Sequence, residues 1–267
     1  MKISARTAYD CDPVLTDSQV LDFCRTGFIL LEGVVPTEIN LRTVGFLEEH
    51  PQGEPTAIFA EEWFVDNVIL DAQTTGIVRS LLGPGFGLPI LISNHRVQCP
   101  MGAQNWHHDG DSHFGPEVHY LQVFYYPQDT PMELGPTEVL PGSHLSQTQR
   151  EIDDQCGLLT AAPAGSIFVT AYPILHRRSR STASATRNML KYSYWRLTPP
   201  DRDWIAEADF DFHGADYGGH GSARSIAQMF FWLCGKGDAL RTIGGQAWPY
   251  SGSRANQVDK PYGFPGF

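Results

Sequence analysis

From residue 88 to residue 197 the chain repeats one pattern: short runs of β-forming residues divided by Gly and Pro turns, with no helical period between them. The runs are LPILISNHRV (88–97), HYLQVFYYP (119–127), GSIFVTAY (165–172) and MLKYSYWRL (189–197), and QDTPMELGPTEVLPGSH (128–144) reads as turns. β-Branched and aromatic side chains suit a pleated, half-buried surface, and proline cannot donate to a ladder, so it ends a run. Short strands with no crossover helices predict a sandwich or barrel rather than a parallel α/β sheet.

Helices flank this region. In LTDSQVLDFCRTGFILLEGVVP (15–36), Thr16 or Asp17 can cap a helix whose apolar side carries Val20, Leu21 and Cys24. Gly27 stops it, and FILLEGVV then reads as a strand. Further helices are expected within 36–51, near 74–82 and over 223–233. The reading is one domain, mainly β with flanking helices. It has a helical N-terminal part over about 15–85, a β core over about 88–200, and a C-terminal helix with an irregular arm over about 201–267. The Gly, Pro and aromatic-rich end from 248 to 267 is either a packed arm or a lid.

Composition narrows the function classes. Charged residues are 18% against about 25% in average domains, and apolar residues are 42%, which excludes a disordered chain. The net charge of −11 repels phosphate backbones and anionic lipid surfaces, so neither nucleic acid nor a membrane is an expected partner. Cys11, Cys24, Cys99, Cys156 and Cys234 are scattered and contain no C-x-x-C, which speaks against a disulfide framework or structural zinc site and suits a reducing compartment. The opening MKISARTAYDCDPV lacks the apolar core of a signal peptide, and no apolar run reaches the ~18 residues of a membrane span. A cytoplasmic protein is expected.

The chemistry concentrates in QNWHHDGDSHFG (104–115). On a strand, residues two apart share a face, so His107 and Asp109 can converge on one point. A second histidine from another strand would complete two imidazoles and one carboxylate, the facial set of non-haem Fe(II) oxygenases that leaves positions open. An isolated H-x-D is common in surface turns, so this spacing does not decide the matter alone. His108 faces away if His107 faces in, and Gly110 ends the strand, leaving Asp111 and His113 beyond it.

Four segments together resemble the phytanoyl-CoA dioxygenase family. They are DFCRTGFILLEGVVP (22–36), QNWHHDG followed by GPTEVLPGSH (135–144), and AGSIFVTAYPILHRRSRSTASATRNMLKYSYWR (164–196). The likeness spans about residues 15–197, and it is the order and spacing that are specific. It implies a double-stranded β-helix (jelly-roll, cupin-like) core using Fe(II), 2-oxoglutarate and O2. It also implies that His107, Asp109 and His176 hold the iron and that Arg187 grips the far carboxylate of 2-oxoglutarate. Arg177, Arg178 and Arg180 compete for that last role.

The sequence departs from the family where a small hydroxyl residue often follows the distal histidine by two places. Here Arg178 stands there, with Ser179 next. Gln98, Tyr120 and Gln122 are alternative polar anchors for the cosubstrate. Asp109, where halogenases have Gly or Ala, leaves no place for a halide. Trp106, His108, Asp111, His113 and Arg178 are candidates for facing the substrate. The implied reaction is hydroxylation of an unactivated C–H in a small organic molecule. A cupin-like metal enzyme without 2-oxoglutarate and a non-catalytic metal- or ligand-binding barrel are the competing readings.

Overall fold

The computed structural model describes residues 6–145, 157–212 and 225–237, and the backbone of 223–224, 242–243 and 246–247. The helices are α1 (Asp17–Thr26), α2 (Thr37–Glu49), the short α3 (Glu62–Phe64), α4 (Ala72–Leu82) and α5 (Ala223–Leu233). The first strands are β1 (Ala8–Tyr9), β2 (Phe28–Leu31), β3 (Phe86–Gly87), β4 (Ser93–Asn94), β5 (Val97–Gln98) and β6 (Tyr120–Tyr126). Then come β7 (Thr137–Val139), β8 (Leu158–Leu159), β9 (Ser166–Ala171), β10 (His176–Arg178), β11 (Thr186–Arg187) and β12 (Leu190–Trp195). Cys156 and the arm at 248–267 lie outside the described residues.

Local chemistry sets the first helix. Thr16 caps α1 in a reciprocal box with Gln19, each side chain satisfying the other's backbone N–H. Asp17, the other capping candidate, is instead buried beneath the chain's later part. It accepts from both Arg202 guanidinium nitrogens that reach it, at 2.8 and 2.6 Å, and from the Trp204 indole at 2.8 Å. Gly27 ends α1 at φ +81°, and its N–H bonds the Phe23 carbonyl.

A seven-stranded antiparallel sheet runs β1-β3-β12-β6-β9-β2, with β4 also on β12; a three-stranded sheet runs β10-β7-β8, and β11 pairs β5. The large sheet is covered on both faces. Leu121, Val123 and Tyr125 of β6 join Ile167, Val169, Tyr192 and Tyr194 in a core shared with α1, α4 and α5. Phe124 and Tyr126 point the other way and meet Phe168, Val139, Ile174 and Met189 in a second core. The Phe124 and Phe168 rings stack there at 4.4 Å. Double coverage explains why 119–127 reads as an unbroken β run without polar alternation. Gln122, on the Phe124 side, is the polar exception.

The run at 88–97 is corrected. It forms only β4 and β5, while Ile90 and Leu91 are exposed. Pro89 has no N–H for a ladder, and the following bonds go to other partners: the Asn94 N–H to the Gly53 carbonyl and the His95 N–H to the Met189 carbonyl. The segment at 128–144, read as turns, contains β7, which is too short to show an alternation.

Gly27→Ala is expected to destabilise the fold by about 2 kcal/mol or more, since φ is positive and the new Cβ would lie 2.4 Å from His144 Nδ1. A urea midpoint equal to that of the parent would contradict this.

His144 is fully buried and donates from Nε2 to the Cys24 carbonyl at 3.2 Å. Burial pulls its pKa down to about 4, so the ring is neutral in the fold. The unfolded chain, with imidazoles near 6.5, then binds more protons between pH 6.5 and about 4. Stability is present above that window and lost as pH falls through it, by roughly 3 kcal/mol for this group. Urea unfolding from pH 7.5 to 4.5 should show the midpoint falling, with a shallower fall in His144→Gln.

Candidate metal centre

The alternation argument for His107 and Asp109 holds at only one of the two. His107 forms an isolated antiparallel bridge with His176, each N–H bonding the other's carbonyl at 3.0 Å. Asp109 lies outside any strand, just before the turn at Gly110 and Asp111, where Asp111 has φ +58°. The three residues nevertheless converge: one ligand atom from each of His107, Asp109 and His176 lies within 4.8 Å of the others. The bridge sets the two imidazoles with ring centres 4.5 Å apart, and the turn brings the carboxylate to them.

Both imidazoles are oriented by backbone. His107 Nδ1 is 3.0 Å from the Asn105 carbonyl and His176 Nδ1 is 3.0 Å from the Ile174 carbonyl. A carbonyl only accepts, so Nδ1 is the donor in each ring and Nε2 is the nitrogen left to face a ligand. Burial pulls His176 down to about 4, which keeps it neutral. Asp109 is ionised: burial pushes its pKa up, but the Lys191 ammonium, His176 and the Gln122 amide outweigh that and hold it at about 2. Its Oδ2 accepts from Lys191 Nζ at 2.8 Å and from the Gln122 amide; Oδ1 lies 3.0 Å from Lys191 Nζ and 3.9 Å from His176 Nε2. Oδ2 thus has two donors, and Oδ1, with Lys191 alone, is the oxygen nearer His176.

Two cavities flank the three residues. The smaller, about 190 Å³, lies on the histidine side and is lined by Asn94, His95, Thr137, Arg178, Arg187 and Met189, among others. Arg187 is 1% exposed, donates to Thr137 Oγ1 at 3.1 Å, and has no partner for Nε among the described residues. The larger, about 700 Å³, lies on the Asp109 side against Ile90, Leu91, Tyr120, Tyr172, Lys191 and Trp195.

The other sequence candidates divide. Gln122 reaches Asp109 rather than the Arg187 cavity. Gln98 is exposed and bonded to Thr186 Oγ1; it is its neighbour Val97 that lines the small cavity, because one step along a strand reverses the face. Ser179 donates to the Pro136 carbonyl at 2.8 Å, and Tyr120 lines the large cavity. Asp111 and His113 also line the large cavity. His108 Nδ1 donates to the Pro173 carbonyl at 2.7 Å and its ring sits edge-on to Phe114, away from the convergence point. Trp106 lies under the Arg177 guanidinium at 4.5 Å.

Lys191 was not among those candidates, nor were Asn94, His95 and Thr137. Lys191 had a readable signal, since Arg187, Met189 and Lys191 alternate along one segment; the others had none in isolated dipeptides and turns.

No family model matches the sequence, and no curated protein matches it. Among solved structures the fold is similar to HygX from Streptomyces hygroscopicus with nickel and 2-oxoglutarate bound, at 18% identity and TM-score 0.56, over 78% of this chain and 96% of that one. It is similar to the epimerase SnoN in complex with Fe3+, α-ketoglutarate and nogalamycin RO, at 14% identity and TM-score 0.54, over 67% and 82%. The non-heme monooxygenase ThoJ in its nickel complex gives 16% identity and TM-score 0.53, over 79% and 93%. The likeness is one of fold: mainly strands with flanking helices.

Removing the amide that holds Asp109, in Gln122→Leu, is expected to weaken divalent metal binding about 10–100-fold. Titration calorimetry with Mn(II) measures it, and an unchanged affinity would remove Gln122 from this role.

Proposed function

We propose that this chain is an Fe(II)- and 2-oxoglutarate-dependent oxygenase with a double-stranded β-helix core, of the phytanoyl-CoA dioxygenase type. On this reading it hydroxylates an unactivated C–H of a small organic molecule and releases succinate and CO2. One observation carries the reading: a convergent His, Asp, His set lies beside a small cavity lined by a buried arginine whose Nε has no partner among the described residues. A metal site alone has no need of that cation.

The donor set fits Fe(II). Two neutral Nε2 atoms and one carboxylate oxygen keep the site's charge low and leave positions open for exchangeable ligands. Iron bound there supplies, with 2-oxoglutarate and O2, the oxidising power that removes hydrogen from an unactivated carbon. The chain's own residues do the rest. His107 and His176 present Nε2 because backbone carbonyls hold their Nδ1 protons. Lys191 bonds both oxygens of Asp109 and Gln122 bonds Oδ2, which leaves Oδ1, the oxygen 3.9 Å from His176 Nε2, as the ligand atom. Arg187, steadied by Thr137, takes the distal carboxylate of 2-oxoglutarate through a planar fork. The substrate enters the larger cavity on the Asp109 side, where Ile90, Leu91, Tyr120 and Trp195 give it apolar walls. The metal and 2-oxoglutarate named for HygX and SnoN support the same assignment here.

The test is anaerobic. Fe(II), ascorbate and 2-oxoglutarate should give the weak visible charge-transfer band of the chelate, and O2 should then yield succinate. His176→Ala should abolish the band. Arg187→Met should raise the 2-oxoglutarate requirement about 10–100-fold while metal still binds, as loss of a charge-assisted hydrogen bond implies. A parent protein that binds iron but forms no band would exclude 2-oxoglutarate and leave the metal-only reading.

A further inference from the structure

The small cavity holds a second buried cation. On β10, His176 and Arg178 are buried, and Arg177 between them, which also lines the cavity, donates to the Glu138 carboxylate at 2.6 Å. Arg178 is 8% exposed and lines the same cavity as Arg187. Its guanidinium has one hydrogen bond among the described residues, from NH1 to the Ser179 carbonyl at 3.3 Å. Neither Arg178 nor Arg187 has a carboxylate partner among the described residues.

Two desolvated guanidiniums facing one cavity repel each other, and an anion between them removes both the repulsion and the missing hydrogen bonds. Position matters as well. Residues two apart on a strand lie about 6.6 Å apart along it, so Arg178 sits one such step from the metal-facing His176. Thr137, which accepts from Arg187, stands directly opposite Arg178 in the β7–β10 register.

Resting on the 2-oxoglutarate reading above, we propose that Arg178 is a second cation of the cosubstrate site. Arg178 from β10 and Arg187 from β11 together bind the distal carboxylate of a short dicarboxylate, each supplying donors to a different oxygen. Arg178 takes the place where a small hydroxyl residue would supply one weaker contact. The site therefore selects a 2-oxoacid with a second carboxylate, and its grip does not need the keto group or the metal.

Calorimetry and thermal melting of the full-length protein in EDTA test this, with 2-oxoglutarate, glutarate, the monocarboxylate 2-oxobutanoate and inorganic phosphate as probes. 2-Oxoglutarate and glutarate should bind and raise the melting temperature; 2-oxobutanoate should not. Arg178→Met should weaken glutarate binding at least 10-fold, and Arg178→Lys should restore part of it. Ligand-free Arg178→Met should melt at a higher temperature than the parent, since a buried unpaired charge is gone; an arginine with a merely structural role would move it the other way.

If Arg178→Met binds glutarate like the parent while Arg187→Met does not, the two-arginine site is wrong and the single clamp stands. If the parent binds phosphate but no dicarboxylate, the 2-oxoglutarate reading itself falls.

Discussion

The reciprocal backbone bridge between His107 and His176 is the constraint on which the rest of the site depends. Two hydrogen bonds of 3.0 Å join the loop that carries His107 to the first residue of β10. They fix the spacing of both imidazoles before any side-chain interaction is counted. The neighbouring carbonyls of Asn105 and Ile174 then set the tautomers. The same loop is tied further back by Gln104, whose N–H reaches the Arg178 carbonyl and whose side chain accepts from the Arg178 N–H. Strand β10 thus positions the His176 imidazole and a cavity-lining arginine from one short element.

Charge is sorted around this bridge. The protein is acidic overall, at −11, yet the small cavity is lined with arginines and no carboxylate. The larger cavity carries Glu54, Asp109 and Asp111 against Lys191. Lys191 lies at the boundary, balancing Asp109 in a half-dry setting where an unpaired carboxylate would be costly. His95, also on the arginine side, is held at about 4 by burial and by the Lys191 and Arg187 cations, so it adds no further charge. Net charge therefore predicted nothing about the pocket, because fields inside a protein are set by local placement.

How much was readable differs by element. The helix at Asp17–Thr26 and the strands at 120–126, 166–171 and 190–195 announce themselves because caps, Gly stops and β-rich runs are local signals. Strands β7 and β10 are three residues each and look like turn sequence, yet β10 carries His176. The H-x-D pair was found by an alternation that the chain does not use at Asp109; what brings the carboxylate in is a turn. Gln98 and Ser179 were plausible by proximity in sequence, but strand parity turns Gln98 outward and a backbone carbonyl holds Ser179.

Legible in the sequence by itself were the largely β character with a helical entry and the expectation that His107 and Asp109 converge; resemblance added the expectation of His176 and Arg187 as their partners. Those rest on local patterning and on motif order, which need no knowledge of packing. Tertiary structure alone decided which side chains surround them. It brought Lys191 and Gln122 to Asp109, lined one cavity with both Arg178 and Arg187, and opened separate cavities on the two sides of His107, Asp109 and His176. Each of these joins residues far apart in the chain, and only the pairing and parity of strands bring such residues face to face.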